Sequence, residues 1–349
     1  MNARVVTILV MLLAVLGGGA LLYQQQERAR RPENVGTLGR ALFKDLKAAD
    51  IAAIKIVEPS VSPNATLTLQ RKDERWVIAE RADFPADLAK VREFVLKVIG
   101  LKVGQSEPLG EKDRARLNLD ASGTRVEFLG TDGKPLGAFV VGKKHFKREV
   151  ENPDKAIPDG RFIVLPDEAG TAYLVADPLT QATVKTAEWI DRSSFQVEKV
   201  KRLEVRYPGG GGWRIERAAD NADWKLVGAK PGERLDIPRA NAASYSLQLL
   251  ELADVAPKDA TTNVEISGLD KPIRVDATTF EGAAYAIKVG RLAGDNYYAA
   301  FTASGIKPDA KDAERVKVQS QHVLLIPKSK LEDTLKQRAD LLEKKEKKK

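Results

Sequence analysis

Apolar residues along the chain fall into two recurring patterns. Short stretches alternate apolar and polar positions, and longer stretches repeat apolar residues every three or four positions. "IAAIKI" (51–56) alternates as a strand does when one of its faces is buried. "LTLQR" (67–71) and "RWVIA" (75–79) read as a hairpin around Lys72, Asp73 and Glu74. In the segment that follows, Leu88, Val91, Val95 and Val98 recur at helical spacing, with Phe94 and Ile99 beside them. Pro85 near the start and Gly100 at the end sit where each favours a helix boundary. "LNLD" (117–120) then leads into a hairpin whose turn is Asp132-Gly133, a pair that supplies the positive φ angles of a tight turn. "RFIVL" (161–165) and "TAYLV" (171–175) form a further hairpin.

The same order then recurs. "VKRLEV" (200–205) matches the opening strand, and "WRIER" (213–217) with "DWKLV" (223–227) matches the first hairpin, placing Trp224 where Trp76 stood. "IPRANAASYSLQLLEL" matches the helix, with Pro238 for Pro85 and Leu247 for Phe94. "SGLD" (267–270) matches "LNLD", and the "VGR" ending at Arg291 matches the "VGK" ending at Lys143. "NYYAAF" and "HVLLIP" complete the set. The helix offset is 153 residues and the VG offset 148, so one module of about 150 residues is expected twice. The expected fold class is α+β, each module an antiparallel sheet with one main helix. Residues 177–196 read as a connector helix. "SKLEDTLKQRADLLEKKEKKK" (329–349) reads as a C-terminal helix opening on the capping-box pair Ser329 and Glu332, with Leu331, Leu335 and Leu342 as its apolar stripe and a Lys-rich end.

The first 23 residues follow a third pattern. Val5 to Leu22 is an uncharged apolar run of eighteen residues, about 27 Å as a helix and close to the thickness of a bilayer core. It is read as a single-pass signal-anchor (1–23) that places the body outside the cytoplasm. A cleaved signal peptide, with Gly18 and Ala20 near its cleavage site, is the alternative. Arg28, Arg30 and Arg31 follow the span and argue against that orientation by the positive-inside rule. The expected organisation is then a linker over 24–41, a first module over 42–196, a second over 197–328, and the tail 329–349.

Charge changes this picture less than its total suggests. The 349 residues carry a net +8. Residues 1–31 hold +3 of it and the last seven residues another +3, which leaves +2 for the body. No concentrated basic face of a nucleic-acid binder is expected. The chain has no Cys, which excludes disulfides, thiolate metal sites and thiol nucleophiles, and only two His. Gly209–Gly212 is followed neither by a helix nor by the GK[ST] ending of a phosphate loop, so it reads as a turn. "DNAD" (220–223) lacks the glycine and distal glutamate of a calcium loop. His145 and His322 occupy non-equivalent places in the two modules, and no G-x-S-x-G elbow is present. No catalytic, cofactor or metal-binding residue is assigned. The candidate partner-binding residues are the basic cluster Lys143, Lys144, His145, Lys147 and Arg148, expected on a solvated loop, with a long loop expected over 146–160.

Taken in order, "LFKDLKAADIAAIKI", "RWVIAERADFPADLAKVREFVL", "LNLD", "FVVGK" and "AEWIDRSSFQVEKVKRLEV" resemble an uncharacterised bacterial family, number 4340 in the domain-of-unknown-function series. The resemblance implies a single-span inner-membrane protein with an exported body, encoded beside ABC-transporter components of the gliding-motility or auxiliary type. It implies a partner and a location and carries over no catalytic residue. The expectation is a non-catalytic accessory or scaffold component of such a system. An exported enzyme acting on cell-wall or polysaccharide material and a periplasmic ligand-binding module are the alternatives.

Overall fold

A computed structural model describes residues 38–73, 75–148, 156–307 and 312–343. The expected span at 5–22 lies outside them. Among the described residues no helix is long and apolar enough to cross a membrane. The fold is α+β, with two antiparallel sheets and few helices.

The first sheet is built from β1 (Ala53–Val57), β2 (Thr66–Lys72), β3 (Arg75–Ile78), β4 (Phe84–Pro85), β5 (Gln105–Pro108), β6 (Thr124–Leu129), β7 (Pro135–Arg148), β8 (Ala156–Val164) and β9 (Thr171–Val175). Helix α1 (Leu88–Ile99) lies between β4 and β5, and α2 (Glu111–Leu117) between β5 and β6. The second sheet holds β10 (Val200–Arg206), β11 (Gly212–Glu216), β12 (Lys225–Leu226), β13 (Asp254–Val255), β14 (Ile273–Thr279), β15 (Ala284–Ala293), β16 (Asn296–Ser304) and β17 (Leu324–Pro327). Its helices are α3 (Ile237–Tyr245), α4 (Lys258–Thr262), α5 (Val264–Ser267) and α6 (Ala313–Gln319), followed by the single turn α7 (Lys328–Leu331).

The strand orders are β4-β3-β2-β1-β6-β7-β8-β9-β5 and β12-β11-β10-β14-β15-β16-β17-β13. Without the two-residue β4 the orders coincide strand for strand. The likeness extends to single residues. Asn118 ends α2 in the left-handed region and Gly268 ends α5 the same way. The next hairpin in each sheet carries a glycine, Gly142 or Gly290, pressed on that helix end. A Cβ on Gly142 would lie well inside 3.0 Å of the Leu117 carbonyl oxygen, and one on Gly290 equally close to that of Ser267. Both glycines sit in register shifts of their strands, between Val141 and Lys144 and between Val289 and Leu292. The "LNLD…VGK" and "SGLD…VGR" pairings are therefore contacts: a helix end locked into a bulge.

Two expected helices are absent. Residues 177–196 hold only a 3-10 turn at Thr186–Glu188, and among the described residues beyond Leu331 there is only one at Arg338–Leu341. Both segments are straps of turns and irregular backbone, several of whose backbone groups are taken by other elements. The Glu58 carboxylate accepts from the Thr183 hydroxyl at 2.7 Å and from the Val184 N–H at 2.9 Å. The carbonyl of Trp189 accepts from the Asp87 N–H at 2.7 Å. In the later strap Tyr207 donates to the carbonyls of Leu335 and Lys336, Trp213 Nε1 donates to Lys336 at 2.7 Å, and the Asp236 N–H donates to Leu341 at 2.9 Å. Those carbonyls are the acceptors that a continuing helix would need. Ser329 and Glu332 form no capping box, since the turn starts at Pro327 without a side-chain cap. Of the expected stripe, Leu331 is buried and Leu342 bridges to Leu235 as an isolated strand pair.

Contact density divides the chain into two compact units, 38–66 with 92–184, and 67–91 with 185–343. In the first unit the core gathers Phe43, Ile54, Ile56, Phe94, Val126, Phe128, Phe139 and Val141. Phe94 stacks on Phe128 with centroids 6.2 Å apart. Each fully buried ring of this kind contributes about 2–3 kcal/mol. Where a linker was expected, Gly39 donates to Val103, Val103 to Arg40 and Leu42 to Leu101 at 2.8–3.0 Å. The Arg40 guanidinium forks onto the Glu168 carboxylate at 2.9 and 2.8 Å and reaches the Tyr173 hydroxyl at 2.9 Å. In the second unit the alternating positions Leu203, Val205, Trp213, Ile215, Val275, Ile287 and Val289 are buried, with Leu247 from the helix side. Gly209–Gly212 is the β10–β11 turn, with positive φ at Gly210, Gly211 and Gly212. Trp224 is buried beneath the Arg217 guanidinium, 4.6 Å from its centroid.

Candidate functional site

The basic cluster does not lie on a loop. Residues 143–148 continue β7, and β8 begins at Ala156, so the cluster forms one arm of a long antiparallel ribbon. The expectation of a solvated loop fails for the cluster and for 156–160 because pairing continues past the buried Val141: Lys144 faces Arg161, His145 faces Gly160, Phe146 faces Pro158, and Lys147 and Arg148 face Ile157 and Ala156. A charged stretch forms a strand when its neighbour offers ladder partners, and β8 does so here.

Two bulges shape the ribbon, one on each strand. The first sits at Gly142 and Lys143 on β7. The second makes Asp159 the extra residue of β8, since His145 pairs with Gly160 but Phe146 with Pro158. That extra residue is used: Asp159 Oδ1 lies 2.7 Å from His145 Nδ1. The His145 ring also meets Phe162 edge-on, centroids 6.1 Å apart. His145 is thus held in place. Arg161 donates from Nε to the Gly142 carbonyl at 2.7 Å, and burial draws its pKa down. The contrast is with Lys143, Lys144 and Lys147. All three are exposed, and none has an ion-pair partner among the described residues. Phe146, between His145 and Lys147 on the strand, has half of its surface exposed (50%). The ribbon therefore offers three ammonium groups without an ion-pair partner among the described residues, and one exposed aromatic ring on the same strand. Sequence reasoning found the charges. It missed Phe146 and Asp159, though "VGK" and "VGR" held a usable signal. Twenty-one positions separate Gly142 from its hairpin partner region at Ile163, against nine between Gly290 and Ala299, so the first hairpin is twelve residues longer.

A cleft of about 400 Å³ in the second unit is lined by Arg75, Phe84, Asp87, Asp191, Glu314 and Gln319. Its polar groups already have structural work. Arg75 pairs with Glu314 at 3.2 Å, and Asp87 Oδ1 caps α1 through the Ala89 N–H at 2.9 Å. Asp191 accepts the Ser193 N–H at 2.8 Å, which with neighbouring cations outweighs its burial and lowers its pKa. Gln319 accepts from the Phe195 N–H and donates to the Ser193 carbonyl, both at 2.8 Å. His322, on the same unit, sets its two ring nitrogens against the carbonyls of Val318 and Ala82 at 2.8 and 3.2 Å and packs edge-on to Phe84. Among the described residues no cluster of three or more His, Asp or Glu is arranged to hold a metal ion.

No curated protein and no solved structure matches the chain. Residues 76–272 match a family model described as "Domain of unknown function (DUF4340)". That match covers more than half of the 349 residues and spans the first sheet's hairpins, the first strap and the opening strands of the second sheet, so the chain belongs to the domain of unknown function 4340 family.

Proposed function

We propose that the chain is a non-catalytic, partner-binding protein of the bacterial envelope, built by tandem duplication of one α+β module, and that the β7–β8 ribbon of the first copy is its docking surface. The observation that carries this reading is the twelve-residue extension of that ribbon. The equivalent hairpin of the second sheet closes at Gly294 and Asp295 without it, so the fold does not require it. Extra length that leaves three lysines without an ion-pair partner among the described residues, on the same strand as an exposed phenylalanine, supports recognition of an acidic and partly apolar surface. The uncharged run Val5–Leu22 supports a single inner-membrane anchor with the body exported. The family resemblance supports an ABC-transporter component as the partner.

Crosslinking in native membranes, followed by purification of the full chain, tests this. Transporter subunits should be enriched with the parent protein and depleted at least tenfold with a Lys143→Glu, Lys144→Glu, Lys147→Glu variant of unchanged thermal stability. Recovery of the parent protein without any transporter subunit would remove the reading. Equal enrichment by both proteins would remove the ribbon from it.

A further inference from the structure

The basic ribbon has two long edges, and they differ. On the β6 side, β7 is paired only as far as Val141, opposite Thr124. There the end of α2 closes on the bulge, where the Leu117 carbonyl and the Leu119 side chain crowd Gly142. Past that point β7 runs on to Arg148 with β8 on one side and, among the described residues, no strand on the other. Backbone groups alternate in direction along a strand, so about half of the N–H and C=O groups of this stretch face the open side. The second sheet makes less of the same place. Past its bulge β15 makes two pairs, Leu292 with Tyr297 and Ala293 with Asn296, where β7 makes five, from Lys144 to Arg148.

The β8 edge is spoiled for a further strand. β9 covers β8 from Arg161 onward, opposite Val175. Ahead of Arg161, Pro158 has no N–H to give, and Asp159 is the bulged residue, turned to His145. On the β7 edge every residue from Lys143 to Arg148 carries an N–H, and the extra residue of the bulge beside His145 belongs to β8.

The side chains along the β7 edge set what it accepts. Residues two apart share a face of a strand, so Lys144 and Phe146 lie on one face and His145 and Lys147 on the other. His145 is already engaged by Asp159. An added strand therefore meets an exposed ammonium at 144, an exposed ring at 146 and a second exposed ammonium at 147. Opposite charges facing each other across a ladder support it, and like charges destabilise it. A second copy adding antiparallel along the whole stretch would set Lys144 opposite Lys147 and Lys143 opposite Arg148, which guards the edge against self-pairing. A strand bearing carboxylates meets the same positions with opposite charge.

We propose that the β7 edge from Lys143 to Arg148 takes up an extended acidic segment of the partner as an added strand, with carboxylates opposite Lys144 and Lys147 and an apolar residue opposite Phe146. The proposal rests on the reading of the ribbon as the docking surface and adds how the contact is made: a backbone ladder, with the charges choosing the strand. The test is saturation-transfer NMR on the full-length chain with short capped peptides. TETVET and TEVTET present two glutamates and a valine in the two strand directions, and TKTVKT and TKVTKT carry lysine in place of glutamate. At least one glutamate peptide should bind saturably and neither lysine peptide should. The Lys143→Glu, Lys144→Glu, Lys147→Glu variant should bind that glutamate peptide at least tenfold more weakly. Methylating alternate backbone nitrogens of the peptide separates a ladder from plain charge attraction, because only one set of its N–H groups faces β7. One methylated isomer should bind at least tenfold more weakly and the other like the parent peptide. Absence of saturable binding by both glutamate peptides overturns the proposal. So does equal affinity of the two methylated isomers, or unchanged binding by the lysine variant. The docking reading itself is decided separately, by the crosslinking of the full chain in native membranes, so either can fail without the other.

Discussion

Substitution of Gly290 by alanine tests the lock between helix end and bulge most directly. The added methyl would fall well inside 3.0 Å of the Ser267 carbonyl oxygen, 3.1 Å from its carbon and 3.3 Å from the Gly268 carbonyl carbon. All three atoms are backbone, so no rotamer change relieves the contact. The C-terminus of α5 must move away from β15, or the bulge must open. Overpacking of this kind costs about 1–3 kcal/mol when side chains absorb it, and backbone that cannot give puts Gly290→Ala near the upper end, about 3 kcal/mol. At roughly 2–4 °C per kcal/mol for a unit of this size, the melting temperature should fall by roughly 6–12 °C. Gly142→Ala should behave alike, since its methyl would meet the Leu117 carbonyl oxygen and the Leu119 side chain. Gly170→Ala is the control. Nothing lies within 4 Å of its added atom and its φ is not positive, so it should be neutral or raise stability by about 0.4–1 kcal/mol. Differential scanning calorimetry of the three variants reads the differences. If Gly290→Ala melts with Gly170→Ala, the bulge and helix end are not in the contact described and the residue-level likeness of the two sheets loses its basis.

Three further predictions follow from individual interactions. Asp87→Ala and Asp236→Ala each remove a helix cap, to Ala89 N–H at 2.9 Å and to Arg239 N–H at 3.2 Å, and each should cost about 1 kcal/mol by denaturant titration. Glu58→Ala removes the carboxylate oxygen that accepts from both Thr183 and Val184 and should cost about 2 kcal/mol; an unchanged denaturation midpoint would show that the strap does not depend on it. Hydrogen bonds from Arg40, then from Tyr173, hold Glu168 below the ordinary carboxylate value of 4.5, so its contribution is present above that value and lost as pH falls through the lower folded one; Glu168→Gln should therefore flatten the acid limb of stability between neutral pH and pH 3 or so, and an unchanged limb counts against the clasp.

Much of the sheet architecture is legible in the sequence, because each hairpin announces itself by alternation and a turn. The Asp132-Gly133 pair and the Gly209–Gly212 run are turns where the pattern placed them. The helix carrying Val91, Phe94, Val95 and Val98 was equally plain, since those residues form one buried face. The straps were misread for a physical reason. Leu331, Leu335 and Leu342 fit a helical period, but Tyr207 and Trp213, more than a hundred residues earlier, take the carbonyls that the helix would use. Local spacing cannot show a distant donor. The ribbon was misread because Lys143–Arg148 has the composition of a loop while β8 supplies its ladder.

The clasp at residues 39–42 has a mechanical consequence. A pull applied to the chain ahead of Leu38 does not reach β1 first. It loads the three backbone bonds to Leu101 and Val103 together with the forked Arg40–Glu168 pair, and these must fail before the strand that opens the sheet bears any tension. The body thus meets its leading segment through a fuse, set just after α1, that can part without disturbing the β1–β6 pairing behind it.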